Sequence, residues 1–358
     1  MWIVSRSPRP NLPSYFVPMC AFIGMTFISV FLTPDPPINW ALRKTILFGM
    51  TLLAATFVTT LWRARTSHAA LLAVAALTSA VGVIQFAVAY SKYRATQQLA
   101  DDPMILARMR GFMGHWLTFS SEQLLVWAAA IPAMVYLGRR WWLPITTVGT
   151  ALILSFTRGV WLGAAAVVAL VSAMMPKRLL LPVLLPLFVI AAAASGLIYH
   201  RVSASINNAD HTFMPDTGRI ELWKAGLLMI REHPWFGVGP ERVEAEFPRH
   251  YRGPNIENIY HGHLENNFLT IAAERGLLCF ATFLWFLLEL YAGLFRLVKA
   301  ADAATRWLPI SGLAALTGFL VTGFSQFNFG DSEVLLLFLF VVSIPFGVLH
   351  ERDVEEVI

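Results

Sequence analysis

The feature that most constrains this 358-residue chain is a recurrence of long apolar runs. Runs of roughly 18 or more residues return from one end to the other, each long enough to cross a bilayer core. They do not alternate apolar with polar residues, as the strands of a membrane β-barrel must. Only 14% of the residues are charged, against about 25% in a soluble domain. The predicted fold class is therefore all-α, a polytopic membrane helix bundle of about ten transmembrane helices. The spans fall at about 14–32, 45–62, 68–90, 116–137, 142–156, 159–175, 179–199, 276–295, 308–327 and 332–349. That divides the chain into residues 1–199 with about seven spans, a long polar loop at 200–275, and residues 276–358 with about three.

Orientation follows from the basic residues. Arg6 and Arg9, Arg63 and Arg65, Arg139 and Arg140, Lys177 and Arg178, then Arg296, Lys299 and Arg306 occupy alternate connections. Positive charge concentrates on the cytoplasmic side, so both termini are expected there. Arg43, Lys44, Lys92 and Arg94 fall on the other side, against the trend. The net charge of +5 is thus an orientation signal and not a nucleic-acid footprint. Tyr15–Leu32 is too long for a signal-peptide core and has no A-x-A site, so an uncleaved first span is predicted. Cys20 and Cys279 lie in apolar runs and read as buried free thiols.

The opposite, outer face receives connections 33–44, 91–115, 157–158, 200–275 and 328–333, and with them every polar cluster of interest. Within 200–275, Ile220, Trp223, Leu227 and Ile230 recur at helical spacing. Asp216 or Thr217 can cap that helix and Pro234 stops it. A short amphipathic helix here lies on the membrane surface or against the bundle. Trp235 to Pro240 reads as a turn, and Pro248 to Asn258 as irregular. From Glu265 the chain is expected to turn helical and enter the next span without a break.

Several residues carry candidate chemistry. Arg158 sits in Ser155-Phe156-Thr157-Arg158-Gly159 with almost no loop around it. An arginine at membrane depth is costly and usually serves a site, the alternative being one that snorkels to headgroups. Arg219 opens the amphipathic helix, and Arg108 and Arg110 precede a span, where headgroup contact is an equal reading. His261, His263 and Glu265 stand just ahead of the late span. His-x-His-x-Glu can ligate a metal, supply a general base, or merely cap the coming helix. Glu122, Gln123 and Glu289 lie inside apolar runs with no role assigned.

Taken in order, these stretches resemble the O-antigen ligase and polymerase superfamily. The likeness covers roughly residues 105–340. It rests on Arg110-Gly111-Phe112 with Gly114-His115, the Ser155–Gly159 stretch, and Gly218-Arg219 with Leu222-Trp223 and Ala225. It continues through His233-Pro234-Trp235-Phe236-Gly237-Val238-Gly239, His261 to Leu269, Glu274-Arg275-Gly276 and Phe327 to Glu333. The resemblance implies an O-antigen ligase-like enzyme, a metal-independent inverting membrane glycosyltransferase without cofactors. Its donor would be a glycan on undecaprenyl diphosphate, and its acceptor lipid A–core or, in a polymerase, another lipid-linked glycan. It also implies a bacterial inner-membrane location, contact with membrane lipids but no nucleic acid, and a periplasmic catalytic loop at 200–275. Family arginines that hold the diphosphate carry over to Arg158 and Arg219, with Arg110 in the earlier loop. The family's base is a histidine in His-Asn-x-x-Leu, but the matching position here is Glu265, in Glu265-Asn266-Asn267-Phe268-Leu269. The base then falls among Glu265, His263 and His261. The chemistry agrees: one base must take the proton of the attacking hydroxyl, and fixed positive charge must meet the leaving diphosphate. Arginine's fork suits phosphate oxygens. A transporter or flippase, the competing class, should carry charge at mid-membrane on broken helices with an inverted repeat.

Overall fold

Backbone polar groups in an apolar surrounding must find their partners within the segment, which makes helices of the apolar runs. The computed structural model describes residues 12–96, 109–176, 181–196, 198–199, 216–251 and 262–349. Among the described residues there are twelve α-helices and no strand. They are α1 (Phe16–Leu32), α2 (Ile38–Phe57), α3 (Leu61–Thr96), α4 (Trp116–Leu137), α5 (Trp142–Leu154), α6 (Arg158–Met174), α7 (Leu181–Ala193), α8 (Asp216–Glu232), α9 (Val243–His250), α10 (Asn267–Ala300), α11 (Trp307–Gly323) and α12 (Ser332–Val348). Each of the ten apolar runs carries a helix. Leu61–Lys92 and Asn267–Ala300 are long and apolar enough to cross a membrane by length and composition, and six further apolar helices run 10–17 residues.

Helix α11 is the hub, packing on α4, α6, α10 and α12, while α1 lies on α10, α2 on α12, and α3 on α4 and α5. Rings fill the centre: Tyr15, Phe22, Phe283, Phe286, Phe319, Phe338 and Phe346 are all buried. Phe319 and Phe338 stack with centroids 4.2 Å apart, an arrangement worth about 0.5–1.5 kcal/mol beyond area burial. The outside of the bundle is apolar too, with Ile46 74%, Leu143 76% and Phe188 71% exposed. Water-facing monomers rarely present such surfaces, whereas a helix in lipid must. Cys20, expected to be buried, is exposed on α1, while Cys279 is buried with its Sγ 3.5 Å from Thr26 Oγ1.

The loop builds a small core of its own. Leu222, Ala225 and Met229 of α8 pack with Val243 and Phe247 of α9 and with Leu264 and Ala273. The buried face of α8 is thus not the stripe expected from sequence: Ile220 and Leu227 are exposed. Trp223 instead fastens the helix, its Nε1 donating to the Leu264 carbonyl at 3.1 Å. The stretch read as irregular from Pro248 onward is helical through His250, because Val243 and Phe247, one turn apart, both bury. Residues 252–258 lie outside the described residues.

The expected unbroken entry into the late span is also corrected. Helix α10 kinks at Gly276, which sits at φ 78° and ψ 170°. The turn His233–Gly239 docks into that kink: Val238 N donates to Ala273 O at 2.9 Å, Gly239 N to Glu274 O at 2.8 Å, and Leu277 N to Pro234 O at 2.7 Å. Ser29 of α1 clamps it from behind, donating to Phe236 O at 2.8 Å. A Cβ on Gly276 would overlap the Trp235 carbonyl, and one on Gly237 would overlap that of Glu274. Both glycines have positive φ, so each serves the backbone angle and the backbone contact together. The segment Asn267–Arg275 is therefore bonded to the His233–Gly239 turn and set off from the rest of α10 by the kink.

Candidate active site

A cavity of about 1020 Å³ opens where the connections around residues 156–159, 262–265 and 325–333 meet, and Arg158, Arg219, His263 and Glu265 all line it. Arg158 is the first residue of α6. The turn before it is tight: Phe156 has φ 51° and is 3% exposed. Gly159 abuts Ser325 and Gln326 of the connection between α11 and α12. Arg219 is in the first turn of α8, whose position is set by the Leu222 core and the Trp223–Leu264 bond. Arg110 does not line the cavity. It is exposed, and its backbone N–H donates to Gln85 Oε1 at 3.4 Å. His261 lies outside the described residues.

Glu265 has the most specific geometry. It is 8% exposed and held at φ 50°. Its backbone N–H donates to His263 Nδ1 at 3.3 Å. A nitrogen that accepts carries no proton, so the neutral ring bears its hydrogen on Nε2; the tautomer is assigned from this bond. Burial pushes His263 below the ordinary value of 6.5, with Glu265 and Glu241 pulling the other way. The Glu265 carboxylate keeps Oε1 3.9 Å from Nδ1, and its Oε2 has no hydrogen-bond partner among the described residues.

The two asparagines after Glu265 tie this segment to its neighbours. Asn266 caps α10, accepting from Leu269 N at 3.0 Å, and donates to Phe324 O at 3.0 Å. Asn267 accepts from Phe329 N at 3.0 Å and donates to Asn328, which in turn donates to Thr322 Oγ1 at 2.8 Å. The Phe327–Glu333 stretch is thus part of the same wall.

Carboxylates that sequence reasoning did not single out complete the cavity: Glu241, Glu244, Glu274, Asp331 and Glu333. Glu274 is 2% exposed, and its Oε1 accepts from Glu241 N at 3.2 Å. Thr118 of α4 donates to Asp331 Oδ2. Lys44, which ran against the orientation trend, donates to Gly330 O and, at 2.9 Å, to Ser332 Oγ, so it braces this turn. Glu289 pairs with Arg296 at 2.6 Å, whereas Glu122 does not line the cavity. Gln123 is buried and bonded to Ser79 and Thr78. Glu274 and Asp331 stood inside quoted motifs and could have been found there; Glu241 had no local signal.

Strain and unmet polar groups gather at the same place. Of the four non-glycine residues with positive φ among the described residues, Phe156, Glu241 and Glu265 line the cavity. Such conformations cost about 1–3 kcal/mol each and cluster at functional sites. Glu265 Oε2, Glu274 Oε2, Asp331 Oδ1 and Gln326 Nε2 are buried atoms of cavity-lining residues with no partner among the described residues. Among the described residues no group of three or more His, Cys, Asp or Glu side chains is placed to hold a metal ion.

Residues 143–284 match the family model described as O-antigen ligase. That match supports membership of the O-antigen ligase and polymerase superfamily. The match runs from α5 to beyond the Gly276 kink and so includes Arg158, Arg219, His263, Glu265 and Glu274. The match and the apolar helices together support a membrane protein, and the match supports a function of the ligase or polymerase type. No curated protein matches the chain.

Proposed function

We propose that the chain is an O-antigen ligase-like glycosyltransferase. It moves a glycan from undecaprenyl diphosphate to an acceptor hydroxyl on lipid A–core, by inversion and without a metal. It works in the bacterial inner membrane as a bundle of about ten spans, with both termini cytoplasmic and the cavity facing the periplasm. The observation that carries this reading is the meeting of Arg158, Arg219 and the unpartnered Glu265 oxygen in one cavity. The arginines come from chain stretches about sixty residues apart (158 and 219). Their forks hold the diphosphate and stabilise its charge as it leaves. Glu265 takes the proton of the acceptor hydroxyl while that oxygen attacks the anomeric carbon, and the sugar–phosphate bond breaks on the opposite side. His263 is a positioning residue that fixes the Glu265 backbone through Nδ1. Arg110 has no part in this assignment, since it lies off the cavity.

The test is transfer by purified protein from an undecaprenyl-diphosphate-linked glycan to a core-lipid acceptor. Arg219→Lys keeps the charge but loses the fork. Transfer is expected to fall by roughly 10²-fold or more, with membrane level near wild type. Undiminished transfer in both Arg219→Lys and Arg158→Lys would remove the diphosphate assignment. Sidedness is checked in whole cells of a Cys20→Ser background. A cysteine at Glu244 should react with a membrane-impermeant thiol reagent and one at Ala301 should not; the reverse pattern inverts the topology.

A further inference from the structure

The cavity is lined by two arginines and six acidic side chains, and a diphosphate has use only for the arginines. Glu241 and Glu244 come from the stretch between α8 and α10, Glu274 from the kink of α10, and Asp331 and Glu333 from the start of α12. Exposed carboxylates alone are merely solvated. Two residues of this wall are not. Glu274 is 2% exposed and Gln326 is 3% exposed. Glu274 Oε2 and Gln326 Nε2 have no hydrogen-bond partner among the described residues. Buried polar atoms are almost always paired, and an exception at a cavity marks a group whose partner arrives with a ligand. Burial pushes the Glu274 carboxyl up to about 8, so near neutral pH it is largely protonated and can both donate to and accept from hydroxyls, while the amide donates to ring or hydroxyl oxygens. Trp116 and Phe327 add ring faces to the same cavity, and these suit the C–H face of a sugar. Acceptors, a buried donor and aromatic faces together complement a polyhydroxylated ring.

We propose that the carboxylate-lined part of the cavity is the acceptor subsite, and that it takes a neutral or amino sugar at the reacting end and rejects an acidic one. The assignment rests on the donor occupying Arg158 and Arg219. A wall of carboxylates attracts an ammonium and repels another carboxylate or a phosphate. A neutral sugar pays no such repulsion and keeps the hydrogen bonds. If the acceptor is a core oligosaccharide, its attacking residue is therefore an uncharged hexose or an amino sugar, whatever charges the core bears elsewhere.

The experiment measures binding of three disaccharides to the purified full chain in neutral detergent by saturation-transfer NMR. The probes are glucosamine disaccharide, its N-acetylated form, and digalacturonic acid. The first two are expected to bind, with roughly tenfold between the amino and the acidic probe, as two exposed charge contacts provide. Glu244 and Glu333 are exposed and lie on separate elements, so Glu244→Gln combined with Glu333→Gln should fold normally. In that variant the gap is expected to narrow by roughly threefold or more, while the N-acetylated probe binds as before. Equal binding of all three, preference for digalacturonate, binding of none, or an unchanged gap in the variant would overturn the proposal. Inorganic diphosphate, titrated into wild type and Arg219→Lys, reports on the donor site separately. Binding that ignores Arg219 would remove the donor assignment without altering the sugar order.

Discussion

Glu265→Gln is the sharpest test of the mechanism, because it removes a proton acceptor without changing the side chain's size. General-base catalysis contributes roughly 10²–10⁴-fold, about 2.7–5.4 kcal/mol of barrier at 1.36 kcal/mol per decade. His263 is expected to matter much less. Its Nδ1 accepts one backbone N–H at 3.3 Å, a neutral bond of about 0.5–1.5 kcal/mol net. His263→Ala should then slow transfer only about threefold to tenfold. His263→Asn puts an amide oxygen where Nδ1 stood and should recover most of that loss. The assay is single-turnover transfer with saturating donor, alongside donor binding, which none of these variants should weaken. A histidine base predicts the opposite ranking. Should both His263 variants lose roughly 10²-fold or more while Glu265→Gln stays near wild type, the tautomer assignment and the role of Glu265 both fall.

Gly276→Ala should lower stability by about 2–5 kcal/mol, combining about 1–2 for a left-handed alanine with about 1–3 for the overlap with Trp235. Thermal unfolding in detergent reads this, and unchanged stability would mean that the kink is dispensable. His263 is held below 6.5 by burial, so the folded state binds its proton later than the unfolded state as pH falls. Its contribution is full above pH 6.5 and lost as pH drops through the folded value. Wild type should therefore lose stability on acidification below pH 6.5 more steeply than His263→Asn, and parallel curves would contradict the burial argument. Chelator should leave transfer unchanged, since guanidinium groups supply the positive charge; a loss restored by Zn²⁺ or Mg²⁺ would refute that.

How much of this was legible beforehand depends on range. Apolar runs report the local environment, and each of the ten predicted spans carries a helix because burial in apolar surroundings leaves the backbone no other choice. Tertiary adjacency is written nowhere in such a pattern. Arg110 and Arg158 look equally suited to an outer-face site, yet only Arg158 reaches the cavity. Lys44 at the start of a span has the signature of an orientation charge, while its ammonium in fact braces Gly330 and Ser332. The kink at Gly276 is not written in the local pattern, because the cost of about 1 kcal/mol for a glycine within a helix is small beside the apolar burial that a long span provides. Its cause is a turn forty residues upstream in the chain, Pro234 to Gly239, whose backbone bonds meet it. Periodicity predicts helix α8 but not its buried side, since two apolar stripes share one short helix and only the partners decide which is covered.

Those backbone bonds explain why the strained residues persist. Glu241 and Glu265 each occupy a conformation that costs about 1–3 kcal/mol and survives only where the surroundings over-determine it. Glu265 is fixed by His263 before it and by the Asn266 and Asn267 bonds after it. Glu241 is held through its N–H to the buried Glu274 carboxylate, which stands on the segment that Val238 and Gly239 fasten. Asn267–Arg275 is thus clamped at both ends, by the α11–α12 turn at one and by the His233–Gly239 turn at the other. A rigid segment of this kind suits the placement of the proposed base, because tenths of an ångström decide whether a base reaches its proton. The binding of the His233–Gly239 turn to the kink would in this sense support the proposed mechanism, although neither lies on the reacting atoms. It places the tolerance for substitution at Gly237 and Gly276 below that of most residues lining the cavity itself.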